Sequence, residues 1–484
     1  MALQRDTRDW LRSTLEARAR QLWSVYGFLL LCSALFWYLR FAYWGVTYEP
    51  PFSDIAGYVA TADNIVHHFF FGLNDAHQTY YTPITPALIA LAKLIAPGRF
   101  EHAFRVLIQV ITFAAALGVV REIALLTGKK WLAASFLFIV AICRPSIFWS
   151  LKLSTEPVCE ALLYATAATA LATLRTGSWR WAGLCGVLAL CLGLNRPGFL
   201  PGTMLIPLAF LIQGFKVSAR RRSESRRHGE EGTGQDTRTR SFSVLARNPR
   251  TLLMAGVFAL CFFGMWSLWI GRNLINYGVF MPTAASGAQS SIWEYGGNPV
   301  KIGRYDSLTL RDGNEFSNFG KVMQEAGRYP HDYEAAQRLF MIARAWHAAN
   351  WMDLPRVFLW RLKHIVANRG ASGLTKVSRE AVFLAPTPGF NNPYTQVAWL
   401  DLVLLDKTPF ICFIALFGLG LFIWTFPLPG LVFAGLALAP WLTSAAVIGY
   451  ERTVEALIAM TIWLAFFGLA QVASLLTERE TSRR

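Results

Sequence analysis

The chain has 484 residues, of which 54% are hydrophobic and 16% are charged, and its formal net charge is +16. Soluble domains carry about 25% charged residues, so this composition excludes an ordinary soluble protein and indicates a membrane protein. The basic excess does not indicate a nucleic-acid-binding protein, because it lies in loops between apolar segments, as the positive-inside rule describes for polytopic chains.

Ten apolar segments recur along the chain, and most have lengths near the roughly 20 residues that cross a bilayer, while the shortest fall below it. In chain order they are 22–39, 106–120, 131–143, 157–174, 181–194, 197–215, 251–271, 408–426, 427–450 and 454–476. Basic residues cluster before the first segment, at 129–130, at 175–180, in the linker 216–250 and at the C-terminus. These five stretches alternate consistently as inside loops, which predicts an all-α polytopic protein of about ten transmembrane helices with both termini cytoplasmic.

The same threading divides the outside part of the chain into loops of very different length. Residues 43–105 form a long first outside loop, and residues 272–408 form a large outside loop after the seventh span. We therefore expect an N-terminal seven-span module (1–271, with the cytoplasmic linker 216–250), a large periplasmic loop with interfacial helices (272–408) and C-terminal transmembrane helices (409–484). The apolar segment 82–97 would invert every later loop if it crossed the membrane, so we predict a short re-entrant or interfacial helix there.

Ionisable residues gather at the outside ends of the spans, where such groups often mark a substrate site or a relay. In the first outside loop, Asp54, Tyr58, Thr61 and Ile65 recur at helical spacing and would share one helix face. Asp54 has two interpretations: it caps the helix start, or, if Ser53 is the cap, it faces a cavity and takes part in catalysis. Tyr58 one turn later either serves the site or is an interfacial aromatic residue.

Two further outside loops carry charged residues beside proline. Lys152 and Glu156 lie in the loop before the fourth span, and Arg196 lies between the fifth and sixth. Lysine and arginine both bind phosphate, arginine through forked donors. The alternatives are structural: Glu156 would favour a helix start through the backbone dipole, and Arg196 would reach lipid headgroups.

The seventh span leads into a stretch rich in Asn, Gly, Ser and aromatic residues, 269–299, which includes Arg272 and Asn273. This composition is typical of a binding loop. Arg452 lies in the last outside loop. The seven cysteines fall almost wholly in the apolar segments and include no C-x-x-C pair, which indicates neither a disulfide framework nor a zinc site.

The ordered motifs resemble the GT-C superfamily of polyprenyl-phosphate-dependent membrane glycosyltransferases, specifically the dolichyl-phosphate-mannose-protein mannosyltransferase-like family and its bacterial relatives. The resemblance is carried by "PPFSDIAGY" (50–58), "TYYTPITPALIALAKLIAPGRFEHAFRVL" (79–107), "STEP" (154–157), "NRPGFL" (195–200), "GRNLINYGVFMPTAASGAQSSIWEYGGNP" (271–299) and "YERTVEALIAM" (450–460). It implies that Asp54 acts at the active centre and that the sugar arrives on a polyprenyl monophosphate. Many members carry a second acidic residue beside the first, but here the neighbours are Pro51 and Ser53. A divalent metal is therefore disfavoured, and no cofactor is required.

From the resemblance and the loop positions we predict an inverting glycosyltransferase of a bacterial inner membrane with a periplasmic active site. Its acceptor would be lipid A, cell-surface polysaccharide or protein. Asp54 is the predicted general base. The predicted donor-phosphate ligands are Arg196, Arg272, Arg452 and Lys152, and the predicted substrate-binding residues are Tyr58, Tyr81, Glu156 and Asn273.

Two other functions use similar features. A lipid or polysaccharide transporter would also have about ten spans, although such folds often show paired broken helices in two halves. A polysaccharide ligase with a diphosphate-linked donor shares the lipid-phosphate chemistry and differs mainly in its donor. Neither the sugar nor the acceptor follows from the sequence.

Overall fold

The structure is a computed structural model, and it describes residues 24–42, 44, 54–73, 76–77, 81–213, 249–278, 280, 282–283, 348, 351–353, 355, 358–359, 362, 408–447 and 455–483. Most of the predicted linker 216–250 and of the large loop 272–408 lie outside these residues, as does Arg452. The side chain of Asp54 is likewise not described, although its backbone is.

The regular secondary structure of the described residues is helical except for one two-residue antiparallel pair, β1 (Gly72–Leu73) with β2 (Ala76–His77). The first helices in chain order are α1 (Ser24–Ala42), α2 (Asp54–His68), α3 (Ile84–Ile95), α4 (Phe100–Thr127), α5 (Lys130–Ile142), α6 (Arg144–Trp149), α7 (Thr155–Thr176) and α8 (Trp179–Asn195). They are followed by α9 (Pro197–Gln213), α10 (Pro249–Tyr277), α11 (Thr408–Thr425), α12 (Pro427–Phe433), α13 (Ala439–Val447) and α14 (Ile458–Arg483). A π-helical segment, Ala434–Leu438, joins α12 to α13.

Each of the ten predicted apolar segments coincides with a helix or, for 427–450, with the joined pair α12 and α13. Among the described residues, α1, α7 and two helical stretches, Pro97–Thr127 and Arg250–Asn276, are long and apolar enough to cross a membrane. Seven shorter apolar helices accompany them. The helical, membrane-type architecture is thus confirmed, while ten spans stays a prediction.

Helix α3 lies in the segment that we expected to be short. Its 12 residues extend about 18 Å, which is less than the roughly 30 Å of a bilayer's hydrocarbon core. Ile89 and Ala90 are buried against α2 and α4, while Leu94 and Ile95 are exposed. The short helix is confirmed, and its place in the membrane remains a prediction.

Small residues let the helices approach closely. A Cβ atom built on Gly186 of α8 would lie 2.5 Å from the Phe258 carbonyl oxygen of α10, and one on Gly418 of α11 would lie 2.0 Å from the Leu464 carbonyl oxygen of α14. Such contacts drive helix association in lipid, where apolar burial between helices gives little net gain. The main apolar core extends across α1, α4, α5 and α7 to α14, and Phe358 and Leu362 of the predicted large outside loop pack against it.

Polar contacts show which helix ends lie together at each end of the bundle. At one end, Glu122 near the end of α4 accepts two hydrogen bonds from Arg175 at the end of α7, at 2.6 and 3.0 Å. Lys129 there lies 3.3 Å from Gln471 of α14. The start of α7 lies about 33 Å away, because its 22 residues rise 1.5 Å each. These contacts match the alternation predicted from loop charges; we call this end of the bundle the basic end and the opposite one the outer end.

Candidate functional site

The outer end brings together the starts of α3 and α7 and the end of α8. The first turns of α2 lie beside the chain that leads into α3, and the end of α10 contacts the chain that follows α2. Helix α2 starts at Asp54, immediately after a segment containing Pro50 and Pro51, which favour an extended chain. Asp54 thus stands at a helix start, as predicted. Both interpretations of its side chain, cap and catalytic base, stay predictions.

Tyr58 lies one turn after Asp54 and is buried, together with Tyr81 at the entrance to α3. Their ring centroids are 4.8 Å apart in an edge-to-face arrangement, which is a favourable geometry for aromatic pairs. The Tyr81 ring lies directly against Gly57, where a Cβ atom would come within 2.1 Å of the hydroxyl oxygen. This aromatic pair packs α2 against the chain before α3. A buried position of this kind does not favour the alternative in which Tyr58 is an aromatic residue at the membrane interface.

Glu156 and Arg196 form an ion pair between the start of α7 and the end of α8. Arg196 Nη2 donates to Glu156 Oε1 at 2.8 Å, and it lies 3.3 Å from the Thr155 hydroxyl. Glu156 is 1% exposed, while the side chain of Arg196 is 14% exposed. The Arg196 guanidinium thus pairs with a buried carboxylate, and its predicted contacts with phosphate or with lipid headgroups stay predictions.

Asn195 connects a third helix, α3, to the helices that carry this ion pair. Its side-chain nitrogen donates to the Thr155 carbonyl oxygen at 2.9 Å, and its side-chain oxygen accepts from the Thr85 hydroxyl of α3 at 2.8 Å. Asn195, Thr155 and Thr85 are all buried. A buried, bonded network of this kind holds the starts of α3 and α7 in register with the end of α8.

Arg272 and Asn273 lie near the end of α10 and face the chain that follows α2. Arg272 donates to the Asn273 side-chain oxygen and to the Phe71 carbonyl oxygen, each at 2.8 Å. Its guanidinium carbon lies 5.0 Å from the Phe71 ring centre and 5.2 Å from that of Trp269, within cation–π range. Asn273 is fully buried. This arginine therefore links the binding-loop segment to the first outside loop, which are 201 residues apart in sequence.

The segment after α10 folds back along the helix. Gly278 adopts a left-handed conformation, with φ +68°, and ends the helix. The indole nitrogens of Trp266 and Trp269 donate to the carbonyl oxygens of Pro282 and Thr283, at 2.6 and 3.3 Å. The described beginning of the predicted binding loop thus lies over α10 beside Arg272.

Lys152 lies between α6 and α7 and is partly exposed, with its side-chain nitrogen 5.6 Å from the Trp149 ring centre.

Among the described residues, no group of three or more histidine, cysteine, aspartate or glutamate side chains could hold a metal ion. The seven cysteines are unpaired thiols.

A second charged network, which the sequence did not indicate, lies one turn further along α7. Arg40 of α1 donates to the Ser146 hydroxyl of α6 at 2.8 Å, and Ser146 donates to Glu160 of α7 at 2.7 Å. Tyr164 donates to the same carboxylate oxygen at 2.8 Å. Glu156, Glu160 and Tyr164 recur at four-residue intervals on α7, so helical periodicity was the signal that could have placed both networks on one buried face.

A further ion pair that the sequence did not indicate joins α2 to α3. Lys93 of α3 contacts Asp63 of α2, and its nitrogen lies 4.4 Å from the Phe100 ring centre. Asp63 is thus engaged in holding two helices of the first outside loop together.

No protein-family model matches the sequence, and neither does any curated protein. Among solved structures, the chain is similar to the archaeal oligosaccharyltransferase AglB from Archaeoglobus fulgidus, in complex with an inhibitory peptide and a dolichol-phosphate, with a TM-score of 0.45 and 14% sequence identity. The match covers 95% of this chain and 52% of that one, so this chain spans about half the length of AglB.

Proposed function

We propose that the chain is an integral-membrane glycosyltransferase of the GT-C type that transfers a sugar from a polyprenyl-phosphate donor to an acceptor on the outer side of the membrane. The observation that supports the proposal is that arginines near the ends of α8 and α10 contact other segments of the predicted outside loops: Arg196 contacts the start of α7, and Arg272 contacts the chain that follows α2. A lipid-linked phosphate needs such a place, since its chain lies in lipid and its charged group requires fixed cationic donors.

In the proposed reaction, Asp54 accepts the proton of an acceptor hydroxyl while that oxygen attacks the anomeric carbon of the donor sugar. The bond from the anomeric carbon to the phosphate oxygen breaks, and the phosphate leaves with the electron pair from the opposite face. The anomeric configuration is therefore inverted. A positioned general base contributes typically about 10² to 10⁴-fold to the rate.

The ion pair between Glu156 and Arg196 affects which of the predicted arginines we assign to the donor phosphate. Arg196 is already matched by a buried carboxylate, so we assign it mainly to holding α7 against α8. Arg272 contacts the Phe71 carbonyl oxygen of the first outside loop and lies where the predicted binding loop begins, and we assign it as the first ligand of the donor phosphate. Fixed cations lower the barrier because charge grows on the leaving phosphate in the transition state.

Asp54→Asn tests the catalytic assignment. This change keeps the size of the side chain and removes the base, so we expect the transfer rate to fall by about 10²-fold or more in membranes supplied with the lipid-phosphate sugar. Asp63→Asn on the same helix is the matched control, because Asp63 pairs with Lys93 and has no proposed catalytic role. Transfer at the wild-type rate by Asp54→Asn would refute the assignment.

Arg272→Ala tests the phosphate assignment. Loss of a hydrogen bond to a charged group costs about 1.5–3 kcal/mol, so we expect kcat/KM for the donor to fall about 10- to 100-fold. Arg272→Lys keeps the charge and should retain more activity, and Arg250→Ala at the other end of α10 is the control. Unchanged donor kinetics in Arg272→Ala would move the phosphate role to Lys152, Arg196 or Arg452.

The donor itself is identified by mixing purified protein with a panel of polyprenyl-phosphate and polyprenyl-diphosphate sugars. We expect consumption of a monophosphate donor. Consumption of a diphosphate donor alone would identify a ligase, and lipid translocation without consumption would identify a transporter.

A further inference from the structure

A deep groove opens at the basic end of the bundle, on the opposite side of the protein from the proposed active site. It lies between α1, α5 and α14 and has a volume of about 1000 Å³, within the range of ligand pockets. Its walls are mostly apolar and include Val25, Phe28, Phe138, Ile462 and Phe466. We call it the basal groove.

Cationic and amphipathic side chains line the mouth of the basal groove. Lys129, Lys130 and Trp131 are exposed there, and Lys129 contacts the Gln471 amide oxygen at 3.3 Å. Trp131 is 46% exposed, and its ring centre lies 5.2 Å from that of Phe28 inside the groove. Among the described residues that line the groove, none is acidic. The described lining residues thus place two positive charges at the mouth, above an apolar slot.

We propose that the basal groove binds one anionic phospholipid from the leaflet that faces the basic loops. An acyl chain occupies the apolar slot, the phosphate lies between Lys129 and Lys130, and Trp131 lies at headgroup level, where tryptophan is enriched. Charge complementarity selects this occupant over an uncharged lipid.

Selectivity must come from the headgroup. Lipid tails are as apolar as the groove walls, so filling the slot gives little preference for one lipid over another. Two lysines near an anionic headgroup favour it by about 30-fold over a neutral one, at the usual strength of a basic residue at a lipid surface. The inference is independent of the proposed glycosyl transfer.

Native mass spectrometry of the full chain, delipidated and then titrated with phosphatidylglycerol or phosphatidylcholine, measures this preference. We expect one tightly retained phosphatidylglycerol, and near-equal retention of the two lipids in the double variant Lys129→Gln/Lys130→Gln. Arg180→Gln is the matched control, since Arg180 is an exposed cation in a neighbouring basic loop and does not line the groove. Equal retention of both lipids by the unmodified chain would overturn the proposal.

A second variant tests the slot. Ala470→Trp fills the groove from α14 and should abolish the retained lipid, whereas Leu260→Trp adds the same ring at a position 73% exposed on α10 and should leave it in place. Retention by Ala470→Trp equal to that of the control would overturn the proposal. Inorganic phosphate should not displace the lipid; displacement at millimolar concentration would reduce the site to a phosphate site and contradict the inference.

Photo-crosslinking of the unmodified chain locates the bound lipid without relying on correct folding of the Ala470→Trp variant. A phosphatidylglycerol with a photoreactive tail, bound to the unmodified chain, should label peptides of α1, α5 and α14. Labelling confined to other helices would place the retained lipid elsewhere and refute the basal groove as its site.

Discussion

Replacing Glu160 by leucine would leave Arg40 without the carboxylate that faces it inside the bundle. Both side chains are buried, at 0% exposure for Arg40 and 3% for Glu160. We expect Glu160→Leu to destabilise the protein strongly, because it removes the carboxylate opposite a buried arginine at membrane depth.

The size of the effect follows from the geometry of the bridge. The two hydrogen bonds through Ser146, at 2.8 and 2.7 Å, place the charged atoms of Arg40 and Glu160 well within interaction range. The two bonds limit the separation of the outer atoms to at most about 5.5 Å, at which an effective dielectric constant of about 20 gives an attraction of at least about 3 kcal/mol. Removing one partner of a buried pair costs about 3–5 kcal/mol, so Glu160→Leu should lose stability in that range.

The measurement is unfolding in mixed micelles by SDS titration, followed by the fluorescence of the chain's 18 tryptophans. Glu160→Gln keeps the shape and one oxygen acceptor, so its loss should come mainly from the missing charge. Tyr164→Phe removes only one hydrogen bond and should cost about 1 kcal/mol. The double variant Arg40→Met/Glu160→Leu should recover most of the loss, since it removes both charges.

Two results would refute this reasoning. One is a cost below about 1 kcal/mol for Glu160→Leu, the level of an ordinary hydrogen bond. The other is a double variant whose loss equals the sum of the single losses, because a double-mutant cycle then assigns no coupling to the pair.

Two glycines give further predictions. Gly418→Ala places a Cβ atom 2.0 Å from a carbonyl oxygen of α14, so it should cost about 1–3 kcal/mol in the same titration, whereas Gly420→Ala meets nothing within 4 Å and should be neutral or stabilising. Equal effects of the two changes would contradict the close approach of α11 and α14. Gly57→Ala would push the Tyr81 ring away from α2, so we expect kcat/KM for glycosyl transfer to fall at least about 10-fold if Tyr81 contacts substrate. Gly98→Ala, which has open space around it, is the control, and equal kinetics in the two variants would remove Tyr81 from the proposed site.

The positions of the apolar helices could be predicted from the sequence, because lipid offers the backbone no hydrogen-bonding partners. Every backbone polar group must be bonded within the segment, so an apolar run of sufficient length becomes a helix. The loop charges also predicted which helix ends lie together, and the contact of Glu122 with Arg175 agrees with that threading. The segment 82–97 was predictable from loop charge, since a crossing there would invert every later loop, and the structure gives it a helix of 12 residues, which is too short to cross a bilayer.

The sequence did not predict which residues the charged side chains contact. The sequence suggested that Glu156 stabilises a helix start and that Arg196 reaches phosphate or lipid, but it did not indicate that they bond to each other. Arg40 and Glu160 are 120 residues apart, and a serine on a third helix bridges them. Which helices are neighbours decides such pairs, and that depends on the packing of small residues at several crossings at once.

The sequence by itself determined that the chain is a helical membrane protein, where its helices run, which ends carry the polar residues, and that Asp54 stands at the start of a helix after the first span. The tertiary structure decided which of those polar residues pair, that Arg272 joins the first outside loop to the end of α10, and that an apolar groove with a cationic mouth opens at the basic end. The physical reason is the range of the forces involved. Hydropathy and loop charge act segment by segment along the chain, whereas an ion pair, an aromatic contact or a groove exists only when distant segments pack at distances of a few ångströms.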